Sequence, residues 1–169
     1  MLILIASYLA LVGPVSASVC EWRSHRLRRV TRSTLAAEAA AMDAAVDHAV
    51  YMSHFMSCIH VAGHVVSGLA PPVFKVVPVT DCRSLYDALQ RLSASLQEKR
   101  VLLDLVAIRE TCGGSLGGSS AVRWVPGEFQ LADGLTKRDR TLRANLAKFC
   151  LDPRFSLVAA PPPEETPPQ

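Results

Sequence analysis

The stretch Arg32-Ser33-Thr34-Leu35-Ala36-Ala37-Glu38-Ala39 sets one carboxylate early in an alanine-rich run, directly behind an arginine-dense segment. Alanine is the strongest helix former, and Leu35, Ala39, Met42, Val46 and Ala49 recur at helical spacing, so a helix is expected from Leu35 to about Ile59. Two further acids stand in related settings. Asp81 closes the apolar run Val76-Val77-Pro78-Val79-Thr80. Asp133 lies in Gln130-Leu131-Ala132-Asp133-Gly134-Leu135-Thr136-Lys137, shortly after the strand-like Val122-Arg123-Trp124-Val125. One acid on a helix, one at a strand tip and one at a helix start is a pattern by which a fold gathers carboxylates around metal ions. It points to a nuclease-type domain.

On either side of this stretch the elements alternate. Leu2 to Ala6 and Ser18 to Ser24 read as a strand pair about a turn at Gly13-Pro14. Pro71-Pro72 ends a loop, and Val73 to Thr80 reads as a short buried strand. Leu85, Leu89, Leu92 and Leu96 mark an amphipathic helix, and Glu98 to Thr111 another, with Val101, Leu105 and Ile108 on its apolar side. Gly113 to Ser120 reads as a flexible loop, Ala121 to Val125 as a strand, and Leu131 to Thr136 and Leu142 to Phe149 as helices. Strands followed by helices alternating with strands predict an α/β layer with a mixed sheet.

The chain has 169 residues, half of them apolar, which suits one domain with a real core. The expected domain runs over residues 1–152, followed by a Pro-rich disordered tail over 153–169, of which Pro161 to Gln169 holds five prolines and two glutamates. The net charge is only +3, but Arg23, Arg26, Arg28, Arg29 and Arg32 crowd into ten residues with no acid among them. Such a cluster suits a phosphate backbone, although a solvated strand and turn would look the same. Five dispersed cysteines without a C-x-x-C pair indicate neither a disulfide framework nor a zinc ribbon, and a reducing, intracellular compartment is the simpler expectation. His54, Cys58, His60 and His64 have zinc-compatible spacing, yet histidines at a helix end are the plainer reading. Trp22 and Trp124 read as core aromatics in strands rather than stacking platforms. The apolar start, with Val15-Ser16-Ala17 resembling a cleavage pattern, leaves a secretory signal over residues 1–17 as the alternative to the strand pair. Whether those residues stay on the mature chain separates the two.

Five motifs then occur in order: Glu21-Trp22-Arg23-Ser24; Arg28-Arg29-Val30 with Ser33-Thr34-Leu35-Ala36-Ala37-Glu38; Val79-Thr80-Asp81-Cys82-Arg83-Ser84-Leu85; Glu98-Lys99-Arg100; and Trp124-Val125-Pro126-Gly127 with Gln130 to Lys137. Together, from about Glu21 to Leu151, they resemble the ribonuclease H domain of copia-type retrotransposon polyproteins. The resemblance implies a ribonuclease H-like mixed sheet flanked by helices. It implies two-metal hydrolysis of RNA in an RNA–DNA hybrid, with Glu38, Asp81 and Asp133 as catalytic and metal-binding acids for Mg²⁺ or Mn²⁺. A reverse transcriptase portion upstream in a polyprotein is the implied partner, and no small-molecule substrate is implied. Arg26, Arg28, Arg29, Arg32, Lys137 and Arg138 would meet backbone phosphates, fixing position without reading sequence.

The family uses four acids, the first on a strand upstream of the hairpin, whereas no Asp or Glu precedes Glu21 here. The expectation is therefore an N-terminally truncated domain in which Met1 begins after that strand, inactive alone. The other function classes left open are a small secreted or membrane-targeted protein and a non-catalytic nucleic-acid-binding module.

Overall fold

The computed structural model describes residues 2–6, 10, 13–24, 30–65, 72–90, 99–112 and 122–157. It is a mixed α/β chain that divides into two compact units, Arg23–Trp124 and the pair of segments Leu2–Trp22 and Val125–Gln169. Among the described residues the strands pair in two sheets, one antiparallel and one parallel, where the sequence suggested a single mixed sheet.

The Arg23–Trp124 unit is built on the alanine-rich helix. This helix, α1 (Thr34–His60), starts where the Ser33 side chain accepts from the Ala36 N–H, which satisfies one of the orphan donors of the first turn. Strand β3 (Val79–Thr80) leads into α2 (Arg83–Gln90), α3 (Lys99–Glu110) follows, and the chain returns as β4 (Arg123–Trp124), parallel to β3. Ala36, Ala39, Met42 and Val46 of α1 form one core with Leu85 and Leu89 of α2, Val101, Leu105 and Ile108 of α3, and Val122. Small residues on α1 let the other helices approach closely, and the leucines of α2 and α3 fill the space between. The expected face of α3 is the buried one. Leu92 and Leu96, and the loop from Gly113 to Ser120, lie outside the described residues.

The strand expected over Val73 to Thr80 is corrected to its last two residues. Its first half is tied to α1 instead. The Ser53 hydroxyl donates to the Phe74 carbonyl, and the Val73 N–H donates to Ser57 Oγ over 3.0 Å. Ser57 is fully buried, and its hydroxyl donates in turn to the Ser53 carbonyl at 2.8 Å. With these groups satisfied by two helix serines, and with Pro78 lacking an N–H, the segment joins the sheet only at Val79.

In the second unit, β1 (Leu2–Ala6) pairs antiparallel with β2 (Val15–Trp22), as the hairpin reading expected, with β2 beginning earlier and ending sooner. The register shifts between Ile3 and Leu4, leaving Cys20 as the extra residue of a bulge. A third strand, β5 (Arg154–Phe155), pairs with Val15 and Ser16, and the Leu157 N–H donates to the Ala10 carbonyl at 2.8 Å. Regular structure thus continues beyond residue 152, where the tail was expected to begin; residues 158–169 lie outside the described set. Cleavage after Ala17 would cut β2 directly after its one buried residue. Trp22 is 63% exposed rather than core, because β5 covers only the opposite end of β2.

The expected helix at Leu131 to Thr136 is a 3-10 segment over Leu131–Leu135, preceded by another at Gly127–Phe129. Its bonds are short-range: Asp133 N–H donates to the Gln130 carbonyl at 3.1 Å and Thr136 N–H to the Asp133 carbonyl at 3.1 Å. The last helix, α4 (Arg140–Leu151), begins two residues before its expected start. Asp139 caps it by accepting from the Thr141 and Leu142 N–H groups at 2.7 and 3.1 Å.

Candidate functional site

Asp81 sits where parallel strand β3 ends, the edge at which open α/β sheets characteristically present ligand-binding groups. Its position is fixed through the backbone on both sides. Thr80, itself buried, turns its hydroxyl to accept the Cys82 N–H at 3.1 Å, which folds the chain sharply around Asp81. From β4, the Trp124 indole N–H donates to the Asp81 carbonyl at 3.1 Å. The strand pairing continues behind it, with Arg123 N–H donating to the Pro78 carbonyl at 2.8 Å. Asp81 is thus a half-exposed residue at the strand tip, held through its backbone.

Arg83, two residues on, stacks its guanidinium over Trp124, 5.1 Å from the ring centroid, and lies 5.7 Å from that of Tyr86. Its Nε also donates to Asp87 Oδ1 at 3.0 Å, one turn further along α2. The cation beside Asp81 is thereby held against the sheet end. Arg83 is not among the site residues expected from sequence, although its place two residues after the acid is plain there.

Glu38 belongs to the same unit. It lies in the second turn of α1, partly buried beside Ala39 and Ala40, so the helix axis rather than a loop positions it. Asp133 belongs to the other unit, where it is the central residue of the Leu131–Leu135 turn and accepts an ion pair from Lys137, four residues later. It does not cap that turn: the N-cap position is Gln130, which makes no side-chain cap bond. Among the described residues, no three His, Cys, Asp or Glu side chains form a group that could hold a metal ion within either unit.

Of the basic residues singled out, Arg26, Arg28 and Arg29 lie outside the described residues, and Arg32 is exposed just ahead of the α1 cap. Lys137 and Arg138 are exposed ahead of α4. Two arginines that the sequence reading missed extend this set. Arg140 opens α4, and Arg143 donates from Nε to the Lys137 carbonyl at 3.2 Å. The signal was present as Lys137-Arg138-Asp139-Arg140 followed by Arg143. The neighbouring acids are engaged, Asp133, four residues ahead of the run, with Lys137 and Asp139, within it, with the helix N-terminus.

The histidine set is divided. The His54 and His64 rings stack with centroids 6.0 Å apart, whereas the His60 ring tilts against Phe74 at 5.7 Å. The five cysteines are all free thiols, and burial pushes the Cys112 thiol up from its ordinary value. Among the described residues no helix is long and apolar enough to cross a membrane. No protein-family profile, curated protein or solved structure matches the chain.

Proposed function

We propose that the chain is a nucleic-acid domain of ribonuclease H-like lineage, derived from a copia-type retrotransposon polyprotein, that binds RNA–DNA hybrids through phosphate contacts. The observation that carries the reading is the setting of Asp81. The motif Val79-Thr80-Asp81-Cys82-Arg83-Ser84-Leu85 makes the end of a parallel strand and the start of a helix, with Trp124 of a later motif bonded to the Asp81 carbonyl. Two of the five resembling motifs thereby meet. The alternation of β3, α2, α3 and β4 and the β1–β2 hairpin support the same reading.

Glu38, Asp81 and Asp133 are the proposed metal-binding acids, since carboxylate oxygens are the donors that Mg²⁺ and Mn²⁺ prefer. Bound at such a set, the ions would polarise the scissile phosphate and the attacking water. The residues before Glu21 hold no acid, so three carboxylates stand where the family uses four. The chain by itself is expected to cleave a hybrid negligibly in Mg²⁺ or Mn²⁺. Cleavage that Asp81→Asn abolishes would show that expectation to be wrong.

Binding is the primary test. Arg26, Arg28, Arg29, Arg32, Lys137 and Arg138, joined by Arg140 and Arg143, supply the cations. Each phosphate neutralised lowers the logarithm of the affinity by roughly 0.7–0.9 per decade of salt, so half of these contacts give a slope of about −3 to −4. Anisotropy titrations of a labelled RNA–DNA hybrid at several salt concentrations should show that slope and no dependence on base sequence. Affinity that stays constant between low and high salt would remove the reading.

A further inference from the structure

We propose that the outward face of α1 pairs with the same face of a second copy, so that the chain forms a two-fold dimer of antiparallel helices in solution. The core side of α1 follows Ala39, Met42, Val46, Ser53 and Ser57. On the opposite side, residues three or four apart bring Ala37, Ala41, Ala44, His48, Tyr51, Phe55 and Ile59 onto one line. A helix at a protein surface normally carries its charges there. This line holds no Asp, Glu, Lys or Arg, and none occurs anywhere from His48 to Phe74. Tyr51, Phe55 and Ile59 are nevertheless 65, 48 and 59% exposed, and Ala41 and Ala44 are exposed as well. The acids of α1, Glu38, Asp43 and Asp47, lie to either side of the line.

The order of side chains along the line selects a second copy as the occupant. Its first half is alanine and its second half bulky. Turned antiparallel about an axis at His48, two such lines set large against small: Phe55 of one copy faces Ala41 of the other, Ile59 faces Ala37, and Tyr51 comes beside Ala44. Each bulky side chain then enters the gap above an alanine, and the alanines let the helix axes approach to about 8 Å, the close end of helix packing. Parallel copies would oppose large to large and small to small. A two-fold contact of this kind is isologous, one surface serving both copies. Uncharged surface with exposed aromatic residues has the composition of an interface core and offers nothing to a phosphate backbone. The area suffices for a weak dimer. An aromatic side chain covers about 150–250 Å², so the exposures leave roughly 300 Å² open on the three bulky residues of each copy. The contact runs about 33 Å along the helix, and with the alanines and flanking side chains roughly 1,000 Å² is buried over both copies, the lower bound of a specific interface. A Kd of about 10 µM is expected for a contact of that size.

Sedimentation equilibrium of the full chain, freed of nucleic acid and kept reduced, tests the proposal. Phe55→Glu should raise the dimer Kd at least about tenfold, because it buries an unpaired charge from each copy. Ala41→Leu should raise it at least about tenfold too, although it adds apolar surface, because it fills the gap that Phe55 of the other copy enters. Leu103→Glu, on the outer side of α3 and 68% exposed, should change it less than about twofold. Association should persist in about 0.5 M salt, which screens ionic contacts and spares apolar ones. For the register, His48→Cys in a Cys58→Ser, Cys150→Ser background should oxidise to a disulfide-linked dimer, since a residue at the axis comes within about 7 Å of its own copy. Phe55→Cys in the same background should not, because its two copies stand about 21 Å apart along the helices. Circular dichroism on each variant keeps loss of fold distinct from loss of pairing. The proposal is overturned if the native chain stays monomeric at about 200 µM, well above the expected Kd. It is overturned equally if Ala41→Leu strengthens association, if Leu103→Glu causes the larger loss, if salt dissolves the dimer, or if Phe55→Cys cross-links and His48→Cys does not. The hybrid-binding reading rests on other residues and stands or falls separately.

Discussion

Replacing Gly134 by alanine should destabilise the protein, although the backbone there is one that any residue adopts. The reason is space. A Cβ at this position would lie 2.8 Å from the carbonyl oxygen of Leu142, 2.8 Å from Leu146 Cβ and 3.1 Å from Leu146 Cδ2. Carbon contacts are comfortable only from about 3.5 Å, so the Leu131–Leu135 turn must lift from α4 by roughly 0.7 Å. The Leu142 carbonyl belongs to the helix backbone and cannot rotate aside. Overpacking of this kind costs about 1–3 kcal/mol, and the smaller entropy of an unfolded alanine returns about 0.4–1 of it. A net loss of about 1–2 kcal/mol follows, equivalent to roughly 2–8 °C in Tm for a chain of this length. Urea denaturation followed by circular dichroism measures it directly. Gly13→Ala is the control: nothing lies within 4 Å of its added Cβ, so that variant should equal or slightly exceed the parent. A Gly134→Ala protein as stable as the Gly13→Ala one would refute the packing argument, and with it the account of how Asp133 is seated.

Other substitutions test the remaining contacts. Leu105 is fully buried between α1 and α2, and Leu105→Ala should cost about 2–5 kcal/mol by the same denaturation measurement. Ser57→Ala removes the acceptor of the Val73 N–H and should cost about 1–3 kcal/mol, with hydrogen exchange at Val73 accelerating more than at Leu105. The exposed thiols of Cys58 and Cys150 should react with a disulfide reagent in the native state at mildly alkaline pH. Cys112, buried and held protonated by desolvation, should react only on unfolding. Because its folded pKa is raised, its contribution to stability is full below the ordinary thiol value, about 8.5, and is lost as pH rises towards the raised one. Stability of the native chain should therefore fall across that alkaline window by more than that of Cys112→Ser.

Several parts of the structure were legible one residue type at a time. Alanine and leucine at helical spacing placed α1 and α3, because a helix buries whatever recurs every three or four residues. The hairpin was readable from its apolar runs and the Gly13-Pro14 turn. Asp81 was readable as a strand-tip acid, since the strand signal Val79-Thr80 and the helix signal after Cys82 leave it the residue between. Capping and satisfaction of backbone groups were less visible. Ser53 and Ser57 look like ordinary helix positions in sequence, yet they are what keeps Val73 and Phe74 out of the sheet.

Residue order and composition thus carry local information: which segments are helical, where the acids and arginines lie along the chain, and that one basic run precedes Glu38. Which of these groups meet is a matter of three-dimensional packing. That packing sets Trp124 on the Asp81 carbonyl, Arg143 beside Lys137 and His64 on His54. Such meetings depend on how separate segments pack and turn back on one another, a long-range property that neither spacing nor propensity carries. Trp22 shows the converse, since its strand was evident from sequence but its exposure followed from where β5 ends.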